Sequence, residues 1–178
     1  VNCRNCYWYY QAVEFVAREK LLSGTAEYIF SPQLTMNRAM LVTALHRMAG
    51  LPASSSGASF SDVAADTWYT AAVGWAAENR IVTGYNGRFT PLDAVTREQI
   101  AVILYQYAQA AGMDISAAGD LSLYPDAADI SSWAVEAMRW AVGNGLIGNR
   151  GNEGLAPAAA ATRAEAALIL MRFHALAN

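Results

Sequence analysis

Three arginines recur at equivalent places in the sequence, and each lies at the predicted start of a helix. Arg38, Arg97 and Arg163 each follow a proline by six residues. A cation is unfavourable there, by about 0.3–1 kcal/mol on an exposed helix, because the amino end of a helix already carries partial positive charge. A guanidinium beside unpaired helix-start N–H groups can, however, bind a carboxylate or a phosphate in bidentate fashion. The recurring arginine therefore predicts anion binding.

A second interpretation explains the same arginines without a ligand. Arg97 could form an intramolecular salt bridge with Asp62, with Asp66 or with an acid of a neighbouring unit. The excess of arginine over lysine, eleven to one, is equally ambiguous: it fits compositional bias of the genome, and it fits flat, bidentate recognition of acidic groups. The residues alone leave these alternatives open.

The chain repeats itself three times, with 59 to 66 residues between equivalent positions. Each unit contains a tryptophan, an aromatic residue seven positions later, a pair of aliphatic residues, a glycine, an F-x-P or L-x-P segment and the arginine. The tryptophans are Trp8, Trp68 and Trp133, the second aromatics are Phe15, Trp75 and Trp140, and the glycines are Gly24, Gly84 and Gly148.

Each unit carries two stretches whose apolar residues recur at i, i+3, i+4 and i+7, the period of a helix with one buried face. The second helix of each unit is predicted to begin at the arginine, because Thr96 with Gln99 and Thr162 with Glu165 form capping boxes and Asn37 is a good N-cap. Two short helices cannot bury their apolar faces alone, so the units must pack together. We predict a mainly α fold, three tandem helix-loop-helix repeats in one pseudo-threefold helical bundle, with at most very short strands.

The predicted single domain covers residues 1–178. Repeat 1 spans 1–50, repeat 2 spans 60–111 and repeat 3 spans 124–178, with linkers at 51–59 and 112–123.

Tryptophans and aspartates are secondary candidates for binding. A tryptophan stripe at helical spacing is typical of a core, although an aromatic ring near a helix start can also stack on a sugar. Asp62 and Asp126 precede Trp68 and Trp133 by six or seven residues. They could cap a helix or a turn, or accept hydrogen bonds from sugar hydroxyls.

Several function classes are disfavoured. A net charge of −3 argues against nucleic acid, and no apolar run is long enough to insert into a membrane. No signal peptide is recognisable at the start of the sequence. Cys3 and Cys6 lack the further ligands of a structural zinc site, so a disulfide or two thiols are expected and no metal or cofactor. The acidic residues are scattered without a recurring pair, which argues against glycoside hydrolysis and for a non-catalytic protein.

These features together resemble the surface-layer homology (SLH) module of bacterial cell-envelope proteins. "TRAE" at Thr162–Glu165 matches the motif of that family, "TREQ" at Thr96–Gln99 is a close variant, and "NRAM" at Asn37–Met40 keeps only the arginine and alanine. The resemblance implies a pseudo-trimeric spindle whose grooves bind a secondary cell-wall polymer through a pyruvylated amino sugar. By motif position, the implied ligand-binding residues are Arg38, Arg97 and Arg163, with Trp68, Trp133, Asp62, Asp126, Gly24, Gly84 and Gly148 as weaker candidates.

The resemblance further implies an extracellular module at the cell wall or S-layer, monomeric in isolation and part of a larger surface protein. Repeat 1 departs from the motif and has no F-x-D segment, so the groove that depends on it could be weak. Repeat 3 has a longer loop with Leu155 in place of phenylalanine. The alternative function is a helical docking or self-assembly module of a surface layer.

Overall fold

A computed structural model describes residues 7–54, 60–151 and 154–177. Within them lie six α-helices and two short 3₁₀ turns, Leu121–Leu123 and Ala127–Asp129. Extended pairing among the described residues is limited to isolated bridges, which confirms the mainly helical prediction. The helices are α1 (Tyr10–Arg18), α2 (Arg38–Met48), α3 (Thr70–Glu78), α4 (Arg97–Ala110), α5 (Val135–Gly143) and α6 (Arg163–Ala177).

The second helix of each repeat begins at its arginine, as predicted. The Asn37 side chain accepts a hydrogen bond from the backbone N–H of Met40, and Thr96 forms a complete capping box with Gln99. Thr162 and Glu165 exchange the same two bonds, at 2.7 and 3.2 Å. Local side-chain chemistry therefore fixes the position of each arginine at the first helical residue.

The helices pair between repeats rather than within them. The extensive contacts join α1 to α6, α3 to α2 and α5 to α4. Each first helix thus packs on the second helix of the preceding repeat, and the pairing of α1 with α6 closes the circle. This arrangement explains why a single repeat cannot bury its apolar face and why all three form one body.

A ring of backbone hydrogen bonds joins the three repeats just before α2, α4 and α6. Met36 donates to the carbonyl of Ala161 at 2.9 Å, Ala161 donates to Val95 at 3.0 Å, and Val95 donates back to Met36 at 3.0 Å. All three residues are fully buried. Because each repeat gives one bond and receives one, the ring is satisfied only when all three repeats are in place.

The apolar positions of the helices form one continuous core. Trp75 and Trp140 are buried, as the helical spacing predicts, and Trp140 is only 1% exposed. Of the two interpretations that the sequence leaves open for the repeat tryptophans, the core interpretation does not apply to Trp8, Trp68 and Trp133. The first helices begin two residues after these tryptophans, which therefore stand in the preceding turn and remain 57–60% exposed.

The segment 112–123 packs on the body. The N–H of Gly119 donates to the carbonyl of Arg139 at 2.8 Å, and Met113 and Ile115 contact the core. A Cβ atom on Gly119 would lie 2.7 Å from the backbone nitrogen of Gly143. The segment 112–123 and the end of α5 therefore approach too closely at this point to allow a side chain on Gly119. Of the other predicted linker, only residues 51–54 are described.

The core position of Trp140 yields a stability test. Trp140→Ala should lower the free energy of unfolding by about 3–5 kcal/mol, because it removes a large buried side chain and leaves a cavity. Trp133→Ala, the equivalent change at an exposed ring, should stay within about 0.5 kcal/mol. Chemical denaturation followed by circular dichroism measures both. Equal losses in the two variants would contradict the separation of core and surface tryptophans.

Candidate functional site

The surface carries three grooves, and each is built from all three repeats. Each contains the motif arginine of one repeat, the loop and second helix of the next, and the tryptophan of the third. Their volumes are about 660, 670 and 450 Å³, within the range of small-molecule sites. We call them grooves A, B and C.

The grooves are defined by equivalent residues. Groove A is lined by Arg38, Arg80, Gly84, Arg88, Gln99, Gln106 and Trp133. Groove B is lined by Trp8, Arg97, Gly148, Arg150, Glu165 and Arg172. Groove C is lined by Ser23, Gly24, Met40, Thr43, Arg47, Trp68 and Arg163.

A single motif serves two grooves. Arg163 lies in groove C, but Glu165 of the same "TRAE" lies in groove B opposite Arg97. In the same way, Arg97 lies in groove B while Gln99 lies in groove A. The chemistry of a groove therefore cannot be read from one motif, because it combines the arginine of one repeat with the fourth motif residue of the next.

The helix-start N–H groups are not available to a ligand, so that part of the sequence prediction is wrong. At α4, the N–H of Arg97 donates to Ala159 and that of Glu98 donates to Pro157, at 3.1 and 3.0 Å, while Thr96 caps the third. The starts of α2 and α6 bond in the same way to residues 91 and 93 and to residues 32 and 34. These N–H groups therefore do not add to the anion-binding capacity of the arginine side chains.

Arg38 is the most open of the three motif arginines. Its Nε donates to the carbonyl of Phe89 at 2.9 Å, and its guanidinium lies 4.6 Å from the centre of the Phe89 ring. It makes no other hydrogen bond and no ion pair within the described part of the chain. Burial lowers the pKa of the Arg38 guanidinium, against the attraction of Asp93 and Asp62. The two terminal nitrogens remain available in groove A.

Arg97 already has partners within the protein, including a carboxylate that it shares with Arg150. Its Nε donates to Leu155 at 2.7 Å and a terminal nitrogen donates to Gly148 at 2.6 Å. The other terminal nitrogen lies 3.6 Å from the Glu165 carboxylate, and only 5% of Arg97 is exposed. Burial lowers the pKa of Arg97, and Glu165 opposes that shift. The salt-bridge interpretation is thus confirmed for Arg97, with an acid of the neighbouring repeat as the partner.

Arg163 is buried without an acidic partner among the described residues. Its Nε and a terminal nitrogen donate to the carbonyls of Phe30 and Ser23 at 3.0 and 2.6 Å. The third nitrogen contacts the sulfur of Met40 at 3.7 Å. Burial lowers the pKa of the Arg163 guanidinium. A buried cation that lacks a counter-charge is costly, which favours an incoming anion in groove C.

Asp62 and Asp126 brace the loops that receive the arginines. Asp62 accepts hydrogen bonds from the N–H groups of Phe89 and Thr90, both at 2.8 Å, and Asp126 does the same for residues 155 and 156. Burial acts to raise the pKa of Asp62, but these N–H groups and Arg88 outweigh it and the pKa is lowered. The first helices have no side-chain cap. The aspartates therefore hold the carbonyls of Phe89 and Leu155 in place for Arg38 and Arg97.

Two of the three predicted glycines have a steric role. A Cβ atom at Gly24 would approach the carbonyls of Ala26 and Ile29 to 2.8 Å, and one at Gly84 would approach Arg88 and Phe60 to 2.5 Å. Gly148 has open space instead. The Gly148 carbonyl accepts a hydrogen bond from a terminal nitrogen of Arg97, and the Ser23 carbonyl accepts the equivalent bond from Arg163. Gly148 is therefore the structural equivalent of Ser23.

The exposed tryptophans are placed one to a groove. Trp133 lines groove A, Trp8 lines groove B and Trp68 lines groove C. Exposed indole rings at groove walls are suited to stacking on the apolar face of a sugar. Trp8 was absent from the predicted site, although its alignment with the other two already marked it as their equivalent.

The grooves concentrate positive charge in an acidic protein. Eight of the eleven arginines line them, and Glu165 is the only acidic residue among the described lining residues, whereas the whole chain has a net charge of −3. Five of these arginines were not predicted. Two features of the sequence could have identified them. One is the excess of arginine over lysine, and the other is that Arg47 and Arg172 each follow a motif arginine by nine residues. The five are Arg47, Arg80, Arg88, Arg150 and Arg172.

Metal ligation and membrane insertion were two further questions raised by the sequence. No group of three metal-ligating side chains occurs among them, and none of their helices is long and apolar enough to cross a membrane. Cys3 and Cys6 lie outside the described residues. His46 is buried and bonds to the carbonyl of Pro52 at 2.8 Å.

Comparison with known proteins gives a consistent result. Residues 4–39, 59–101 and 123–167 match the family model of the S-layer homology domain. The Surface-layer 125 kDa protein of Lysinibacillus sphaericus is 31% identical over 166 residues, which cover 91% of this chain and 14% of that protein. The amylopullulanase of Thermoanaerobacterium thermosulfurigenes is 28% identical over 92% of this chain and 9% of its own length. Exoglucanase XynX of Acetivibrio thermocellus is 27% identical over 92% of this chain and 15% of its own.

The chain therefore spans only 9% to 15% of the length of these relatives. They include a protein named for the surface layer and two enzymes, an amylopullulanase and an exoglucanase. On its three matched segments, the chain belongs to the S-layer homology domain family.

Proposed function

We propose that this chain is a non-catalytic anchoring module that binds a secondary cell-wall polymer through acidic, pyruvylated amino sugars in its inter-repeat grooves. The observation that carries the proposal is Arg38 in groove A. It presents terminal guanidinium nitrogens to an open groove, with no carboxylate of the described chain within ion-pair distance. A ligand carboxylate would supply the missing counter-charge and the fork geometry that guanidinium favours.

The surroundings of Arg38 fit an acidic sugar. Trp133 offers a stacking surface for the pyranose ring, while Gln99 and Gln106 offer amide groups to hydroxyl or acetamido groups. Arg80 and Arg88 add two exposed cations. Groove C offers a similar set in Arg163, Arg47 and Trp68.

The proposed partner is thus a polyanionic glycan of the cell wall, with no cofactor. The concentration of arginines in grooves of an acidic protein steers anionic ligands to these sites. We propose that the module is monomeric by itself, belongs to a larger surface protein and acts outside the cell at the wall.

A comparison of two polymer preparations tests this function. The chain should bind isolated secondary cell-wall polymer, and binding should be lost when mild acid removes the pyruvyl groups, because the ligand then lacks its carboxylate. Sedimentation with insoluble wall fragments measures both. Undiminished binding to depyruvylated polymer would contradict the proposal, and self-association in place of polymer binding would favour the docking function.

The role of Arg38 is tested by substitution. Arg38→Ala should weaken polymer binding about 10- to 100-fold, because hydrogen bonds to charged groups contribute about 1.5–3 kcal/mol. The free energy of unfolding should fall by only about 1 kcal/mol, from the lost bond to Phe89. Arg38→Lys should also lose affinity, since a point charge cannot replace the fork.

Arg139→Ala is the matched control for Arg38→Ala, because it removes one exposed arginine outside all three grooves. It should leave affinity unchanged, as measured by surface plasmon resonance on immobilised polymer. Equal loss in both variants would show a general charge effect and not a site.

Arg97 should behave differently from Arg38. Arg97→Ala leaves the carbonyls of Leu155 and Gly148 without their donor and breaks a buried ion pair, so it should cost about 3 kcal/mol or more of stability. Thermal and chemical denaturation measure this loss. A variant that unfolds like the parent protein would show that Arg97 does not hold repeats 2 and 3 together.

A further inference from the structure

We infer that Glu98 is a positioning residue, which fixes Trp133 at groove A by holding the turn in which this tryptophan stands. The inference rests on the proposed function and adds a residue that is absent from the described lining of all three grooves. Glu98 occupies the third position of "TREQ", where the motifs of repeats 1 and 3 have Ala39 and Ala164.

Both carboxylate oxygens of Glu98 bind one residue of the next repeat. One oxygen accepts the backbone N–H of Ser131 and the other accepts its hydroxyl, both at 3.0 Å. Only 5% of Glu98 is exposed, and its own N–H donates to the carbonyl of Pro157 at 3.0 Å. Hydrogen bonds to an ionised group are the stronger class, so this clasp restrains Ser131 from a helix start that is itself anchored.

Ser131 begins the turn that carries the indole to groove A. The N–H of Ala134 donates to the Ser131 carbonyl at 2.8 Å, and α5 starts at the next residue. Trp133 lies inside this turn, and its ring is 58% exposed and lines groove A. Glu98 thus ties the turn to the start of α4, where the neighbouring Gln99 lines the same groove.

The equivalent turn of repeat 2 is held by its own side chains. Next to Trp68, the hydroxyl of Thr70 accepts the N–H of Thr67 at 3.0 Å and donates to the carbonyl of Ala64 at 2.7 Å. The counterpart of Thr70 in repeat 3 is Val135, whose side chain has no polar group. The turn before α5 therefore lacks this internal restraint, and the carboxylate from repeat 2 supplies an external one in its place.

Trp133 also lacks the aromatic support that the other two groove tryptophans have. Trp8 and Trp68 each contact the following tyrosine edge-on, with 5.3 and 5.0 Å between ring centres. Trp133 is followed by Ala134 and makes no such ring contact within the described part of the chain. The restraint on this indole therefore depends on its backbone, which Glu98 anchors. A ring that is held in place before binding loses less conformational entropy when a sugar stacks on it.

Two substitutions of Glu98 separate positioning from charge. Glu98→Ala removes the clasp and a negative charge, and the charge alone would strengthen binding of a polyanion. We nevertheless expect Glu98→Ala to bind isolated secondary cell-wall polymer about 3- to 10-fold more weakly, because the indole must then be ordered on binding. Glu98→Gln removes the same charge but keeps an oxygen for the Ser131 N–H and an amide group for its hydroxyl. It should not bind more weakly than the parent protein in surface plasmon resonance.

A double-mutant cycle shows whether Glu98 acts through the indole. Trp133→Ala should weaken binding at least as much as Glu98→Ala, and the double variant should bind no more weakly than Trp133→Ala alone. Glu136→Ala is the matched control, because Glu136 also joins α5 to α4, through the Tyr105 hydroxyl at 3.0 Å, and carries the same charge. This control should not weaken binding.

The indole N–H of Trp133 reports the restraint without any ligand. Its ¹⁵N relaxation, with the signal assigned by Trp133→Phe, should show added motion in Glu98→Ala and parent-like values in Glu98→Gln and Glu136→Ala. Melting curves check that each variant folds. Ser131→Ala removes only the hydroxyl end of the clasp, so it should show the same change to a smaller extent and replaces Glu98→Ala if that variant does not fold.

Four results would overturn the inference. Parent-like relaxation of the Trp133 indole without the clasp would show that Glu98 does not hold the ring. If Glu98→Ala binds polymer as tightly as the parent while Trp133→Ala binds more weakly, the inference fails and the proposed function stands. An equal loss from Glu98→Ala with and without the indole would show that Glu98 acts by another route. If the parent protein does not bind the polymer, the proposed function fails, and the inference fails with it.

Discussion

The need to satisfy the first backbone N–H groups of α2, α4 and α6 governs the architecture. In each helix the third of these groups is capped locally by Asn37, Thr96 or Thr162, but the first two donate to the proline loop of another repeat. A helix end with unpaired donors in a buried region would be costly. Each second helix can therefore begin where it does only when its neighbour is in place, and the ring through Met36, Val95 and Ala161 closes the set.

This constraint also creates the grooves. The inter-repeat bonds place the arginine at the first helical position against the edge of another repeat. There its Nε donates to a backbone carbonyl, which is that of Phe89 for Arg38, Leu155 for Arg97 and Phe30 for Arg163. Asp62 and Asp126 hold two of these carbonyls from behind. The hydrogen bond from Nε thus positions each guanidinium. The partners of its terminal nitrogens depend on the residues on the opposite side of the groove.

The residue opposite the terminal nitrogens of the motif arginine differs among the three grooves. Groove A presents glutamine, groove B presents glutamate and groove C presents Met40 at the same position relative to the arginine. Approximate threefold symmetry of the backbone therefore coexists with three different electrostatic environments. A threefold fold does not imply three equal sites, because function depends on side chains that each repeat supplies to its neighbour.

The sequence by itself determined the three repeats, the helical class, the helix starts with their caps and the recurrence of arginine, tryptophan and glycine, because these follow from periodicity and from bonds within a few residues. Only the tertiary structure decided that helix-start N–H groups are occupied, that Trp8 is exposed, that Asp62 braces a loop and that Arg97 meets Glu165. The occupied N–H groups and the Arg97–Glu165 pair depend on contacts between repeats, and Arg97 and Leu155 are more than fifty residues apart. Asp62 instead meets Phe89 and Thr90 of its own repeat, 27 and 28 residues further along the chain. Local patterns cannot specify such partners, because the ring closure that brings them together is a property of all three repeats at once.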